Sequence, residues 1–99
     1  MKFIYPAIFR QTEEGSYKGY FPDLEYCYGE GETLDDAIDS INDAGKDWLT
    51  LELSEDEPLI PYVSDLEDLT LEEGDIVRNI SMNIRFYEDG MNKEITESM

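Results

Sequence analysis

The sequence predicts an α+β domain in the order β-β-β-α-β, with one amphipathic helix packed on one face of a sheet. Three observations carry this reading. Residues 2–10 alternate in the manner of a strand, residues 34–51 repeat apolar side chains at helical spacing, and Ile80, Met82, Ile84 and Phe86 alternate again near the end. At 99 residues with 40% hydrophobic side chains, the chain has the length and the apolar content for one core. The predicted domain is residues 1–87, with 54–75 as an acidic connecting segment and 88–99 as a polar tail.

In the first strand Phe3, Tyr5, Ala7 and Phe9 point one way, and Ile4, Pro6, Ile8 and Arg10 the other. Pro6 cannot donate a ladder hydrogen bond, so its position must face an edge or a gap in pairing. Thr12 to Ser16 reads as a hairpin loop and Tyr17 to Phe21 as the second strand. Pro22-Asp23 turns the chain, and Tyr26 to Glu30 reads as a short third strand.

Thr33-Leu34-Asp35-Asp36 resembles a capping box, with Thr33 as N-cap and acids in the first turn. At ~100° per residue, Leu34, Ala37, Ile38, Ile41, Ala44, Trp48 and Leu49 share one face. Asp35, Asp39, Asp43 and Asp47 share the opposite one. The spacing predicts a helix over 34–51. Beyond it SEDEPLIPYVSDLEDLTLEEG reads as a long connection with a short helical turn after Ser64, and 76–87 as the last strand.

Charge narrows the function classes. The chain has 25 acidic and 7 basic residues and a net charge of −18. Residues 23–75 hold 19 of the acids and one base, Lys46, so they carry the full −18. Such a surface repels nucleic acid and anionic membranes and favours basic partners. With no histidine and one cysteine, imidazole catalysis and an ordinary zinc site are excluded. No apolar run reaches ~18 residues, the N-terminus is not patterned as a secretory signal, and a lone Cys27 fits a reducing compartment. A cytoplasmic protein is expected.

YPAIF, the hairpin with Gly15, FPDL, Cys27 and then GETLDDA opening the helix follow in an order and spacing that resembles the HicB family of antitoxin domains. The resemblance covers about residues 3–52 and implies a partial ribonuclease-H-like sheet with the fourth strand beside the first. It also implies a partner: a small basic HicA-type endoribonuclease toxin. Two departures stand out. Glu25-Tyr26 occupies a place where the family commonly has Pro-Gly, so a different turn is expected. About a dozen residues follow the last strand, so no DNA-binding domain and no direct nucleic-acid contact are expected.

The candidate partner-binding residues are the aspartate row Asp35, Asp39, Asp43 and Asp47, together with Glu55, Asp56, Glu57 and Tyr62 in the connecting segment. The row places like charges at i,i+4 three times over, a costly choice for mere solubility. A solvated acidic face is the plainer reading and stays open. Asp23, Glu25, Glu30 and Glu32 lie near strand ends, where carboxylates could gather around metal ions for ribonuclease-H chemistry. The same charge would repel that substrate, so no catalytic residue, no metal, no cofactor and no enzyme activity are expected. Cys27 and Trp48 read as core, Gly29 and Gly31 as conformational residues at a strand end, and Lys46 as a local offset to Asp43. An orphan domain acting in homo-oligomeric assembly or small-ligand binding is the alternative. A homodimer is expected, because sheet edges at this size invite pairing.

Overall fold

The computed structural model describes residues 1–84. Strands β1 (Lys2–Gln11), β2 (Tyr17–Tyr20) and β3 (Tyr28–Gly31) are followed by helix α1 (Leu34–Leu53), a 3-10 turn at Leu66–Asp68 and strand β4 (Ile76–Asn83). The sheet order is β3-β2-β1-β4, and each neighbouring pair is antiparallel. The architecture is the expected one, with the fourth strand beside the first. The predicted extension of the last strand to residue 87 and the tail 88–99 lie outside the described residues.

Alternation in β1 sends Phe3, Tyr5, Ala7 and Phe9 toward α1, where they meet Phe21, Leu24, Cys27, Ala37, Ile41, Leu49, Ile80 and Met82 in the core. Each of these large side chains contributes roughly 1.5–3 kcal/mol on full burial. The whole predicted helix stripe packs there, with Ile38, Ala44 and Trp48 at its margin. Thr33 caps α1 by accepting from Asp36 N–H at 3.1 Å. The helix ends two residues later than the spacing predicts. Leu53 still packs on the core, and Ser54 then folds back, its amide and hydroxyl donating to Thr50 O.

Gly29 and Gly31 have a different role from the one expected. Positive φ occurs at Gly15, Gly74 and Tyr26, and at neither of these two. They let α1 lie close on the sheet: a Cβ on Gly29 would stand 2.8 Å from Ser40 Oγ and 2.9 Å from Ile41 N, and one on Gly31 would overlap the backbone of Asp36 and Ala37. Gly45 does the same from the helix side, against Met82 and Phe21.

Pro6 is in register with Asn79 of β4 but lies beyond the end of the β1–β2 ladder. The last β1–β2 pair is Ile8↔Tyr20, so the missing N–H falls opposite the chain's exit from β2 toward Pro22. Helix side chains also reach both sheet edges. Glu30 N–H on β3 donates to Ser40 Oγ at 3.2 Å, and Asn42 Nδ2 donates to Ser81 O on β4 at 3.2 Å.

The third strand begins two residues later than expected, because Tyr26 and Cys27 belong to the preceding turn. Leu24 N–H donates to Phe21 O and Cys27 N–H to Leu24 O, while Phe21 N–H donates to Cys27 O. Tyr26 takes φ +59°, the left-handed region that glycine enters freely. The turn therefore keeps a glycine-like conformation with a tyrosine in it. Trp48 Nε1 holds it from α1 by donating to Glu25 O at 3.0 Å.

Candidate interaction surface

The acidic residues divide into those that touch the fold and those that do not. Asp35, Asp39, Asp43 and Asp47 are all exposed along the outer face of α1. At 1.5 Å rise per residue the row extends over ~18 Å. Leu51, four residues beyond Asp47, continues it as an apolar end 70% exposed. Lys46 makes no ion pair with Asp43. The ion pairs among the described residues both belong to Arg10, with Glu72 at 3.6 Å and Asp75 at 2.8 Å.

Glu55, Asp56 and Glu57 are exposed in the loop that follows α1. That loop is closed by Glu52, whose Oε2 accepts from Leu59 N–H at 2.9 Å. The chain then alternates. Leu59 is 78% exposed, Ile60 turns in to the core, and Tyr62, Val63 and Leu66 stand 97%, 54% and 51% exposed. Of the predicted link residues, Tyr62 is thus the most exposed large apolar side chain.

This projection is held from beneath. Tyr5 hydroxyl donates to Pro61 O. Ser64 donates twice to one carboxylate: its amide to Asp23 Oδ2 at 2.8 Å and its hydroxyl to Asp23 Oδ1. Burial pushes the Tyr5 phenol up, and the Asp23 charge adds to this, so the hydroxyl keeps its proton and remains a donor. Asp23 and Tyr5 serve the link through partners 41 and 56 residues away. No local pattern marks them for that role.

Just before β4 the link is fastened again, at Arg10. Arg10 Nε and Nη2 donate to Asp75 Oδ1 and Oδ2 at 2.8 and 3.0 Å, and Glu72 N–H donates to Asp75 Oδ2 at 2.8 Å. The Asp75 side chain is fully covered. Its carboxyl lies below the usual carboxylate range, first because of the Arg10 hydrogen bonds and then because of the Glu72 amide. Pro6 and Ile8 are buried although they face away from α1.

Asp23, Glu25, Glu30 and Glu32 do not converge. Among the described residues no three histidine, cysteine or carboxylate side chains are placed to hold one metal ion. Cys27 is buried, and burial, with a smaller effect from Asp47, pushes its thiol up to about 11. It is therefore a core side chain and a poor nucleophile at neutral pH. Among the described residues no helix is long and apolar enough to cross a membrane.

A family model described as the HicB-like antitoxin of bacterial toxin-antitoxin systems matches residues 5–91. No curated protein matches the chain. Among solved structures it is similar to the N-terminal domain of the Burkholderia pseudomallei antitoxin HicB, at 24% identity and TM-score 0.67, over 83% of this chain and 100% of that one. It is similar to a chain of a HicA3 and HicB3 toxin-antitoxin complex, at 27% identity and TM-score 0.57, over 84% and 99%. A chain of a toxin-antitoxin complex from Streptococcus pneumoniae shares the fold at 20% identity and TM-score 0.65, over 100% and 82%.

Proposed function

The chain belongs to the HicB-like antitoxins of bacterial toxin-antitoxin systems, and from that premise we propose that it binds and neutralises a small basic HicA-type endoribonuclease by steric cover and charge complementarity, without chemistry of its own. The observation that carries this is the free state of its outward acids. Asp35, Asp39, Asp43, Asp47, Glu55, Asp56 and Glu57 are exposed, and among the described residues their side chains take part in no hydrogen bond or ion pair. Free carboxylates on a −18 chain raise the encounter rate with a basic surface and disfavour acidic ones. One chain of a solved HicA3 and HicB3 toxin-antitoxin complex is similar to this chain, which supports a toxin as the partner.

Coexpression tests it. A basic protein of toxin size encoded beside this chain is expected to copurify with it and to lose its toxicity. Persistent toxicity with no copurification would refute the reading.

A second reading, small-ligand binding by an orphan domain, has one observation in its favour. A cavity of about 660 Å³ lies over β2 and β3, lined by Arg10, Lys18, Tyr20, Tyr28, Glu30 and Ser40. Arg10 is already engaged by Asp75 and Glu72, and Lys18 stands opposite Glu30 across the strand pair, so little free charge is left to select a ligand. This reading ranks second. The homodimer also remains a proposal, and Ser40 and Asn42, which occupy groups on both sheet edges, favour a surface other than edge-to-edge pairing for it.

A further inference from the structure

We propose that residues 59–66 form a preorganised apolar ridge that inserts into an apolar cleft on a basic protein, and that Asp23 is the positioning residue that holds the ridge in shape without touching that partner. The inference rests on the antitoxin reading and names the part of the surface that does the anchoring.

Leu59, Tyr62, Val63 and Leu66 are each more than half exposed within eight residues, whereas Ile60 between them packs into the core. An unconstrained link of this composition would gain by collapsing onto its own sheet. Here it is fastened at three points: Glu52 to the amide of Leu59, Tyr5 to the carbonyl of Pro61, and Asp23 to both the amide and the hydroxyl of Ser64. Because the segment is already ordered, little conformational entropy remains to be lost when it is covered. Tyrosine is also among the side chains enriched as interface anchors.

The rim selects the occupant. Glu55, Asp56 and Glu57 precede the ridge, Asp65 lies within it, Glu67 and Asp68 follow it, and no lysine or arginine occurs from residue 47 to residue 77. A second copy would bring the same charge and be repelled. The chain's own residues 85–99 hold two basic and four acidic side chains, so they too carry the wrong sign. A basic protein with an apolar cleft satisfies both the ridge and its rim.

The test measures binding of the adjacent basic toxin, in a catalytically inactive form, to the full chain and three variants. Tyr62→Ser is expected to weaken the affinity at least tenfold. Asp23→Ala is expected to weaken it about tenfold and to speed amide hydrogen exchange over 59–66 while β1 and β4 keep their protection. Its salt dependence of association should match the wild type, since Asp23 meets no partner charge. Replacing Glu55, Asp56 and Glu57 by Gln, Asn and Gln should flatten that salt dependence, which a merely structural role would not do. Should the wild type bind and Tyr62→Ser bind within twofold of it, the ridge is refuted and the antitoxin reading stands. Should the wild type bind no toxin, both fall. An Asp23→Ala variant with normal exchange over 59–66 would remove Asp23 from the account, and one with a flattened salt slope would make it a contact residue instead.

Discussion

The outer face of α1 and the link from 54 to 75 are equally acidic to the eye, yet they use their carboxylates differently. Along the helix the side chains of Asp35, Asp39, Asp43 and Asp47 are exposed and form no ion pair among the described residues. Where the link is fastened carboxylates are structural: Asp23, from the turn before β3, holds Ser64 in the middle of the link, and Asp75 at its end is gripped by Arg10 and the Glu72 amide, while Glu55, Asp56 and Glu57 stay as free as the helix row. The difference separates two contributions that net charge merges. Carboxylates with partners give the surface its shape, and those without partners are the ones proposed above to meet a basic surface.

The largest effect that would break this comparison is a loss of stability on the structural side. Asp23→Ala removes two hydrogen bonds to a charged acceptor and leaves Ser64 unsatisfied, which should cost about 2 kcal/mol in urea unfolding. Next comes acid. Because the folded-state value of Asp75 is depressed, its stabilisation is fully present above the ordinary carboxylate pKa of ~3.9 and is lost as pH falls through its lower folded value. Unfolding midpoints measured from pH 6 down to pH 2 should therefore drop most steeply at the acid end. Asp75→Asn should start lower and lose that component.

Smaller effects sharpen the same contrast. Tyr26→Gly relieves a left-handed tyrosine and should raise stability by about 0.5–1 kcal/mol, with the added freedom of the unfolded chain subtracted. Asp39→Asn with Asp43→Asn relieves like-charge pairs worth ~0.2–0.5 kcal/mol each. The doubly substituted protein should melt no lower than the wild type. Finally, Cys27 should resist alkylation at pH 8 until the chain unfolds, because its thiol is covered and its pKa stands at about 11.

What the sequence makes legible follows the range of the interactions. The helix stripe from Leu34 to Leu49 and the alternation in β1 are local periodicities, and both appear in the fold as read. Thr33 caps the helix as its spacing with Asp36 implies. The third strand is displaced because Tyr26 and Cys27 are used in a turn whose geometry depends on Leu24 and on Trp48, 23 residues from the Glu25 carbonyl it holds. The glycines look like turn residues in one dimension and become close-approach points only when a helix is laid over them. Asp23 and Asp75 are hidden most completely, since nothing nearby distinguishes them from the other acids. Their meaning comes from Ser64 and Arg10, 41 and 65 residues away. The exposed candidates were easier: a row of four aspartates at i,i+4 and a tyrosine between prolines and acids can be seen without a fold.

If the proposed function is right, unpartnered acids draw in a basic toxin, while the fastened link shapes the surface that it meets. Stopped-flow association of the adjacent toxin with the wild type and with the Asp39→Asn, Asp43→Asn variant, followed by Trp48 fluorescence from low to high salt, tests it most directly. Fast wild-type association that slows steeply as salt screens the surface is expected, with a slower variant at low salt and convergence of the two at high salt. Equal rates for the two proteins at every salt concentration would contradict it.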